Sequence, residues 1–154
     1  ATLSAVTLIR MRDRHRFTGF SKANLSQGTF DVSMTPSSRN FGERALTLNT
    51  PTHEWTMSHY TKPGKRREPD VSPLYADLSN MPPALFTVGT LDPLLDDTLF
   101  MHVRWVAAGN QAELAIYPGG CHGFNGAVYS YSLPRIEIAR QADAKIIEFV
   151  KKTL

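Results

Sequence analysis

Apolar positions along the chain fall into two regimes, one diffuse and one sharp. Near the start, Leu3, Val6, Ile9 and Arg10 recur at spacings of three and four, with Leu8 and Met11 beside them, the period of an amphipathic helix over residues 1–13. No cap or turn precedes that run, so the chain is expected to begin inside or at the first turn of a helix, with sequence missing upstream; a short self-contained helix is the other reading. After a turn at Thr18-Gly19, Ala23 to Gln27 reads as a weak strand that Phe30-Asp31-Val32 extends. Residues 33–51, rich in Ser, Thr, Asn, Arg and Pro, read as loop. A short helix is expected over Glu54 to Tyr60, and 61–82, with prolines at 63, 69, 73 and 82, reads as loop again. An irregular stretch of that length, 33–82 as a whole, reads as a lid-like or binding excursion.

From residue 83 the pattern tightens. Ala84 to Val88 is a short apolar run between Pro83 and Gly89, as in a buried parallel strand. Leu99, Val103 and Val106 then form one stripe of a helix over 96–108, and Gly109 is a natural stop for it. Glu113 to Tyr117 predicts a second strand of the same kind. Ser132 is placed to cap a last helix with Pro134 in its first turn, its stripe being Ile138, Ala142, Lys145, Ile146 and Phe149. Strand–helix–strand–helix implies a right-handed parallel crossover, and the fold class is α/β.

Composition narrows the class. At 154 residues, 42% hydrophobic and 20% charged, the chain is one domain's worth of ordinary globular sequence. No run approaches the ~20 apolar residues of a membrane span, and the first residues lack a signal peptide's basic and apolar regions. One cysteine excludes an internal disulfide and makes the cytoplasm the default compartment. The net charge of +3 is uneven: residues 1–67 carry eleven Lys or Arg against four Asp or Glu, and the rest six against ten. The basic residues cluster at 10–16 and 62–67. Nucleic-acid binding is one reading of such clusters; a solvated helix end and a polar loop is the reading preferred here.

Two stretches carry candidate chemistry. Thr87-Val88-Gly89-Thr90-Leu91-Asp92-Pro93-Leu94-Leu95-Asp96-Asp97 and Tyr117-Pro118-Gly119-Gly120-Cys121-His122-Gly123-Phe124 each end an apolar run at a turn and deliver a titratable side chain. Open parallel sheets place their chemistry there, beyond the carboxyl ends of the strands. An aspartate and a histidine on adjacent strand ends are two members of a nucleophile–base–orienter triad. Asp92 also reads as a plain turn residue before Pro93, and His122 as a loop histidine between glycines. Asp96 and Asp97 read as structural, capping a helix and favouring its dipole. Cys121 beside His122 suggests a Cys–His nucleophile, but neighbours in sequence rarely aim at one atom, and a lone cysteine is usually a small buried hydrophobe. His15, His53, His59 and His102 show no metal-ligand spacing with a cysteine or carboxylate, so no metal is expected, and triad chemistry needs no cofactor. Trp55, Met57 and Phe124 could line an acyl pocket or simply pack.

Asp70-Val71-Ser72-Pro73-Leu74, Met81-Pro82-Pro83-Ala84-Leu85, Asp92-Pro93-Leu94-Leu95-Asp96-Asp97 and His122-Gly123-Phe124 together resemble the C-terminal half of an α/β-hydrolase. The likeness is to the hormone-sensitive-lipase-like carboxylesterases and lipases and covers most of residues 70–150. Residues 1–60 fit more loosely. It implies a partial hydrolase sheet of about three parallel strands flanked by helices, with the N-terminal half of the fold missing and residues 1–154 forming a single partial domain. It further implies ester hydrolysis, with Asp92 as triad acid and His122 as triad base. The family's Gly-x-Ser-x-Gly elbow and His-Gly-Gly-Gly-type loop do not occur in this sequence. Gly119-Gly120 follow Pro118 and do not replace that loop. Gly19-Phe20-Ser21-Lys22-Ala23 imitates the elbow but lacks its second glycine and precedes a strand. The resemblance implies a small ester as substrate, and either the missing half or a second copy of the chain at the strand edge near Ala23–Gln27. A non-catalytic remnant or interaction module of the same fold is the alternative.

Overall fold

The computed structural model describes residues 1–44, 46–126 and 137–152. Its elements in chain order are α1 (Thr2–His15), β1 (Ala23–Ser26), α2 (Pro36–Asn40), α3 (Thr50–Tyr60), β2 (Ala84–Leu91), α4 (Leu95–Ala107), β3 (Ala112–Cys121) and α5 (Glu137–Lys151). The three strands form one sheet in the order β1-β2-β3, both pairings parallel. Ala23 to Ser26 lie beside Ala84 to Thr87, and Ala84 to Gly89 beside Ala112 to Tyr117. This is the α/β arrangement that the short apolar runs imply.

Helix α1 buries Ala5, Val6, Leu8 and Ile9, while Leu3 stays 71% exposed. Val6, Leu8 and Ile9 of the expected stripe are thus buried, joined by Ala5, while Leu3 and Arg10 stand outside it. The helix ends at Arg16, which takes the left-handed conformation with φ 53°. The basic cluster at 10–16 binds this protein's own chain. Arg10 and Arg14 both pair with Asp70, at 3.0 and 2.7 Å, and Arg12 donates to the carbonyls of Asp77 and Ser79.

The central strand β2 is buried on both faces from Ala84 to Gly89, as a parallel strand covered by helices must be. Phe86 meets Phe30 and Trp105 edge to face, with ring centres 6.2 and 5.6 Å apart. Trp105 is fully buried and its indole N–H donates to Pro82 O at 3.1 Å, so its one polar atom is satisfied. Ala5, Leu8, Leu25, Leu78 and Met101 complete this core. Strand β3 continues past Tyr117 through Pro118 to Cys121, further than its apolar run suggests. Its described partner lies on one side only, where a proline is tolerated.

The segment 33–82 departs most from expectation. It holds α2, α3 and two short 3₁₀ turns at Pro63–Lys65 and Pro73–Tyr75, where loop was expected over most of its length. Helix α3 starts four residues before Glu54, at Thr50, capped by Asn49 Oδ1 accepting from Thr52 N at 3.0 Å. Residues 30–32 form a turn region, not an extension of β1. Ser132 and Pro134, expected to start α5, lie outside the described residues. Within α5 the buried side chains are Ala139, Ala142 and Phe149, and Lys145 pairs with Glu113 at 2.8 Å.

Candidate active site

Asp92 follows the last residue of β2 and is 2% exposed. The Asp-Pro step makes the turn that ends the strand: Leu94 N donates to Asp92 Oδ1 at 2.9 Å and Leu95 N to Asp92 O at 3.2 Å. Turn residue and chemical group are thus one side chain. The local bond fixes one carboxylate oxygen and leaves the other for a distant partner.

That partner is His122, the residue after β3. Its Nδ1 lies 3.0 Å from Asp92 Oδ2 and 3.2 Å from Oδ1. A carboxylate can only accept from an imidazole N–H, so this contact selects the tautomer with its proton on Nδ1. Nε2 then carries the lone pair, and it makes no hydrogen bond among the described residues. The His122 side chain is 28% exposed against 0% for Asp92, so the imidazole stands between a buried anion and the outside.

The backbone brings the two together through glycine. An ideal Cβ built on Gly89 would lie 2.0 Å from Gly120 O, so β2 and β3 approach where no side chain fits between them. The same place carries a register shift between Gly89 and Leu91, after which Leu91 pairs with Cys121. The irregularity aligns the ends of the two strands and sets Asp92 beside His122.

Asp96 and Asp97 are structural, though not as caps of α4. Asp96 Oδ2 accepts from Ser37 N at 2.7 Å, tying α2 to α4. Asp97, fully buried, accepts from Phe30 N at 2.7 Å, Asp31 N at 2.8 Å and Thr35 Oγ1 at 2.6 Å. Burial pushes its carboxyl up to about 7 against the pull of those three donors. His53 is buried between Ser38 Oγ, 2.5 Å from Nδ1, and Thr29 Oγ1, 3.2 Å from Nε2. Burial, and then the His122 charge, lower it to about 4 and keep it neutral.

The other candidates separate cleanly. Ser21 is exposed and precedes β1, at the amino end of the parallel sheet, whereas Asp92 and His122 follow the carboxyl ends of β2 and β3. Phe124 is 2% exposed against Tyr117, ring centres 5.3 Å apart, and packs in the interior. Trp55 is 64% exposed and stacks on His59. Met57 lines a small apolar groove with Thr2, Leu3, Thr29, Val32 and Tyr60. Among the described residues no three His, Cys, Asp or Glu gather as a metal site, and no helix is long and apolar enough to cross a membrane.

Comparison with known proteins places the fold. The family described as alpha/beta hydrolase fold matches residues 1–126. The chain belongs to the alpha/beta hydrolase fold family. The curated relatives it matches are an esterase and an ethyl acetate hydrolase. The Acinetobacter venetianus esterase is 31% identical over 125 residues, 77% of this chain and 38% of that protein. The ethyl acetate hydrolase of Pseudomonas putida is 36% identical over 91 residues, 58% of this chain and 28% of the other. Among solved structures, a hyperthermophilic esterase from the archaeon Pyrobaculum calidifontis superposes with a TM-score of 0.85 at 31% identity, covering 97% of this chain and 47% of its own. An esterase of the bacterial hormone-sensitive lipase family gives 0.81 at 26% identity, covering 97% and 48%. The chain thus spans about half the length of the alpha/beta hydrolases whose structures it matches, a partial version of the fold.

Proposed function

We propose that this chain supplies the acid and base of a Ser-His-Asp triad in a carboxylic-ester hydrolase, with the serine and the oxyanion donors coming from sequence outside these 154 residues. The carrying observation is the Asp92–His122 hydrogen bond, 3.0 Å long, with Nε2 free on the outer side. In the reaction, Nε2 takes the proton of an attacking hydroxyl as its oxygen bonds to the ester carbonyl carbon. The imidazolium so formed is held by the Asp92 carboxylate, and it returns the proton to the departing alkoxide. Water then attacks the acyl-enzyme by the same exchange. No cofactor takes part in these steps.

The same reading accounts for the free edge of β1. Leu3 and Phe20, 71% and 37% exposed, line a groove with Ala23 and Asn24 of β1, Phe17 packs on Phe20, and the outer backbone groups of β1 have no strand partner among the described residues. The occupant that fits is the strand leading into the nucleophile elbow, with a second copy of this chain as the competing outcome. The deciding experiment is size measurement together with an activated-ester assay, with and without a segment carrying the elbow and oxyanion loop. Turnover that appears only on complementation supports the reading. A complemented assembly without turnover leaves the non-catalytic remnant as the better account.

A further inference from the structure

Among the described residues, Gln27 is the one side chain that grips the backbone on both sides of His122. It follows β1, and its own N–H still donates to Thr87 O at 2.9 Å, one step beyond the last strand pair. There the backbone turns left-handed, φ 51°, a conformation that residues with a Cβ rarely adopt and that persists only where the surroundings hold it. From this position the side chain reaches β3, which is not a neighbour of β1 in the sheet. Its Oε1 accepts from Gly123 N at 2.7 Å, and its Nε2 donates to Cys121 O at 3.4 Å. The amide orientation follows from chemistry, because Gly123 N–H can only donate and so faces the oxygen.

These two contacts have a geometric consequence. Cys121 C=O belongs to the peptide plane before the His122 Cα, and Gly123 N–H to the plane after it. The rotations between those planes are φ and ψ of His122, the only soft backbone dihedrals the residue has. One amide bound to both planes therefore fixes the direction in which the imidazole leaves the chain. Phe124 N, 3.1 Å from Cys121 O, closes the same turn locally, but it does not hold the turn against the rest of the sheet. Asp92 orients the ring from its Nδ1 side; among the described residues no other side chain ties the His122 backbone to β1.

We propose that Gln27 is a positioning residue for the Asp92–His122 pair, setting the imidazole by clamping the Cys121 carbonyl and the Gly123 amide. The inference rests on the triad reading for its catalytic consequence, but not for its structural one. Gln27→Met removes both polar contacts at similar length. Gln27→Glu keeps an oxygen for Gly123 N–H and loses only the longer contact to Cys121.

The test uses two readouts. On the 154-residue chain, imidazole ¹⁵N shifts of His122 should report the Nδ1–H tautomer in the native protein and in Gln27→Glu, and a mixture with the Nε2–H tautomer in Gln27→Met. In the complemented assembly, Gln27→Met should lower kcat by roughly 10–100-fold with KM nearly unchanged, as a misplacement of about 1 Å does. Gln27→Glu should stay within a few-fold of native. A Gln27→Met chain that folds and keeps the native tautomer overturns the inference and leaves the esterase reading standing. A tautomer shift in an assembly that never turns over supports Gln27 and counts against the esterase reading. Should Gln27→Met not fold, Gln27→Ala, which removes both contacts, decides: the native Nδ1–H tautomer alone in that variant overturns the inference, and a tautomer mixture supports it.

Discussion

Replacing Asp97 with alanine should be among the costliest changes in this protein. The carboxylate accepts from Phe30 N and Asp31 N, and those donors lie where Phe30 is 0% and Asp31 6% exposed. A buried main-chain donor without an acceptor costs ~1–3 kcal/mol, so two of them predict a loss of ~2–6 kcal/mol. That is a large share of the ~5–15 kcal/mol that holds a domain together. Asparagine keeps an oxygen for both N–H groups and should recover most of the loss. A second readout comes from pH. Burial raises the Asp97 carboxyl from 3.8 to about 7, so the folded protein prefers its protonated form. Its stabilising contribution is therefore full below the unfolded value and is lost as pH rises through the folded one. Three units at ~1.4 kcal/mol each make that swing ~4 kcal/mol. Asp97→Asn has no proton to lose. It should gain on the native chain as pH rises from about 4 to about 8. Urea unfolding followed by tryptophan fluorescence measures both effects. Asp97→Ala within ~1 kcal/mol of native, or a native-minus-Asn difference that is flat with pH, would refute the reasoning.

Three further outcomes follow from the same structure. Thr87 Oγ1 is buried in β2 without a hydrogen-bond partner among the described residues, so Thr87→Val should be neutral or raise stability by ~1 kcal/mol, read as an unchanged or higher urea midpoint. Gly89→Ala forces a Cβ within 2.0 Å of Gly120 O; it should part β2 from β3 and break the Asp92–His122 contact, seen as a mixture of His122 tautomers in imidazole ¹⁵N shifts. His53 is lowered from 6.5 to about 4, so the stability it contributes is full above 6.5 and is lost as pH falls toward 4; His53→Gln should flatten that fall in pH-dependent unfolding.

What could be read from the sequence divides along physical lines. Strands β2 and β3 and the pairing of Asp92 with His122 were legible because each rests on a local signal, an apolar run stopped at a turn that presents one polar side chain. Helices α2 and the first turn of α3 were not. Pro36-Ser37-Ser38-Arg39-Asn40 has no apolar stripe, and its Ser38 and the His53 of α3 are held by polar contacts that only the folded chain brings together. In α1 the period was legible at Val6, Leu8 and Ile9, but its first member Leu3 is exposed and Ala5, too small to signal, is buried in its place. Asp97 sat where a helix cap would, yet its donors come from residues more than sixty positions away. Gln27 was invisible for the same reason, with partners at 121 and 123 and a backbone turn that nothing nearby in sequence demands.

The most direct test of the central proposal is a burst assay with an activated short-chain ester, followed by intact-mass measurement. The chain alone should show no stoichiometric burst and no acyl adduct, since Ser21 and His122 lie at opposite ends of the strands. Joined to a segment that carries the elbow and the oxyanion loop, it should form the adduct on the supplied serine and turn over. His122→Ala or Asp92→Asn should then remove most of that rate, by roughly 10⁴-fold for the aspartate. A stoichiometric adduct on the chain alone, mapped to Ser21 or Cys121, would contradict the account, as would a complemented assembly indifferent to His122→Ala.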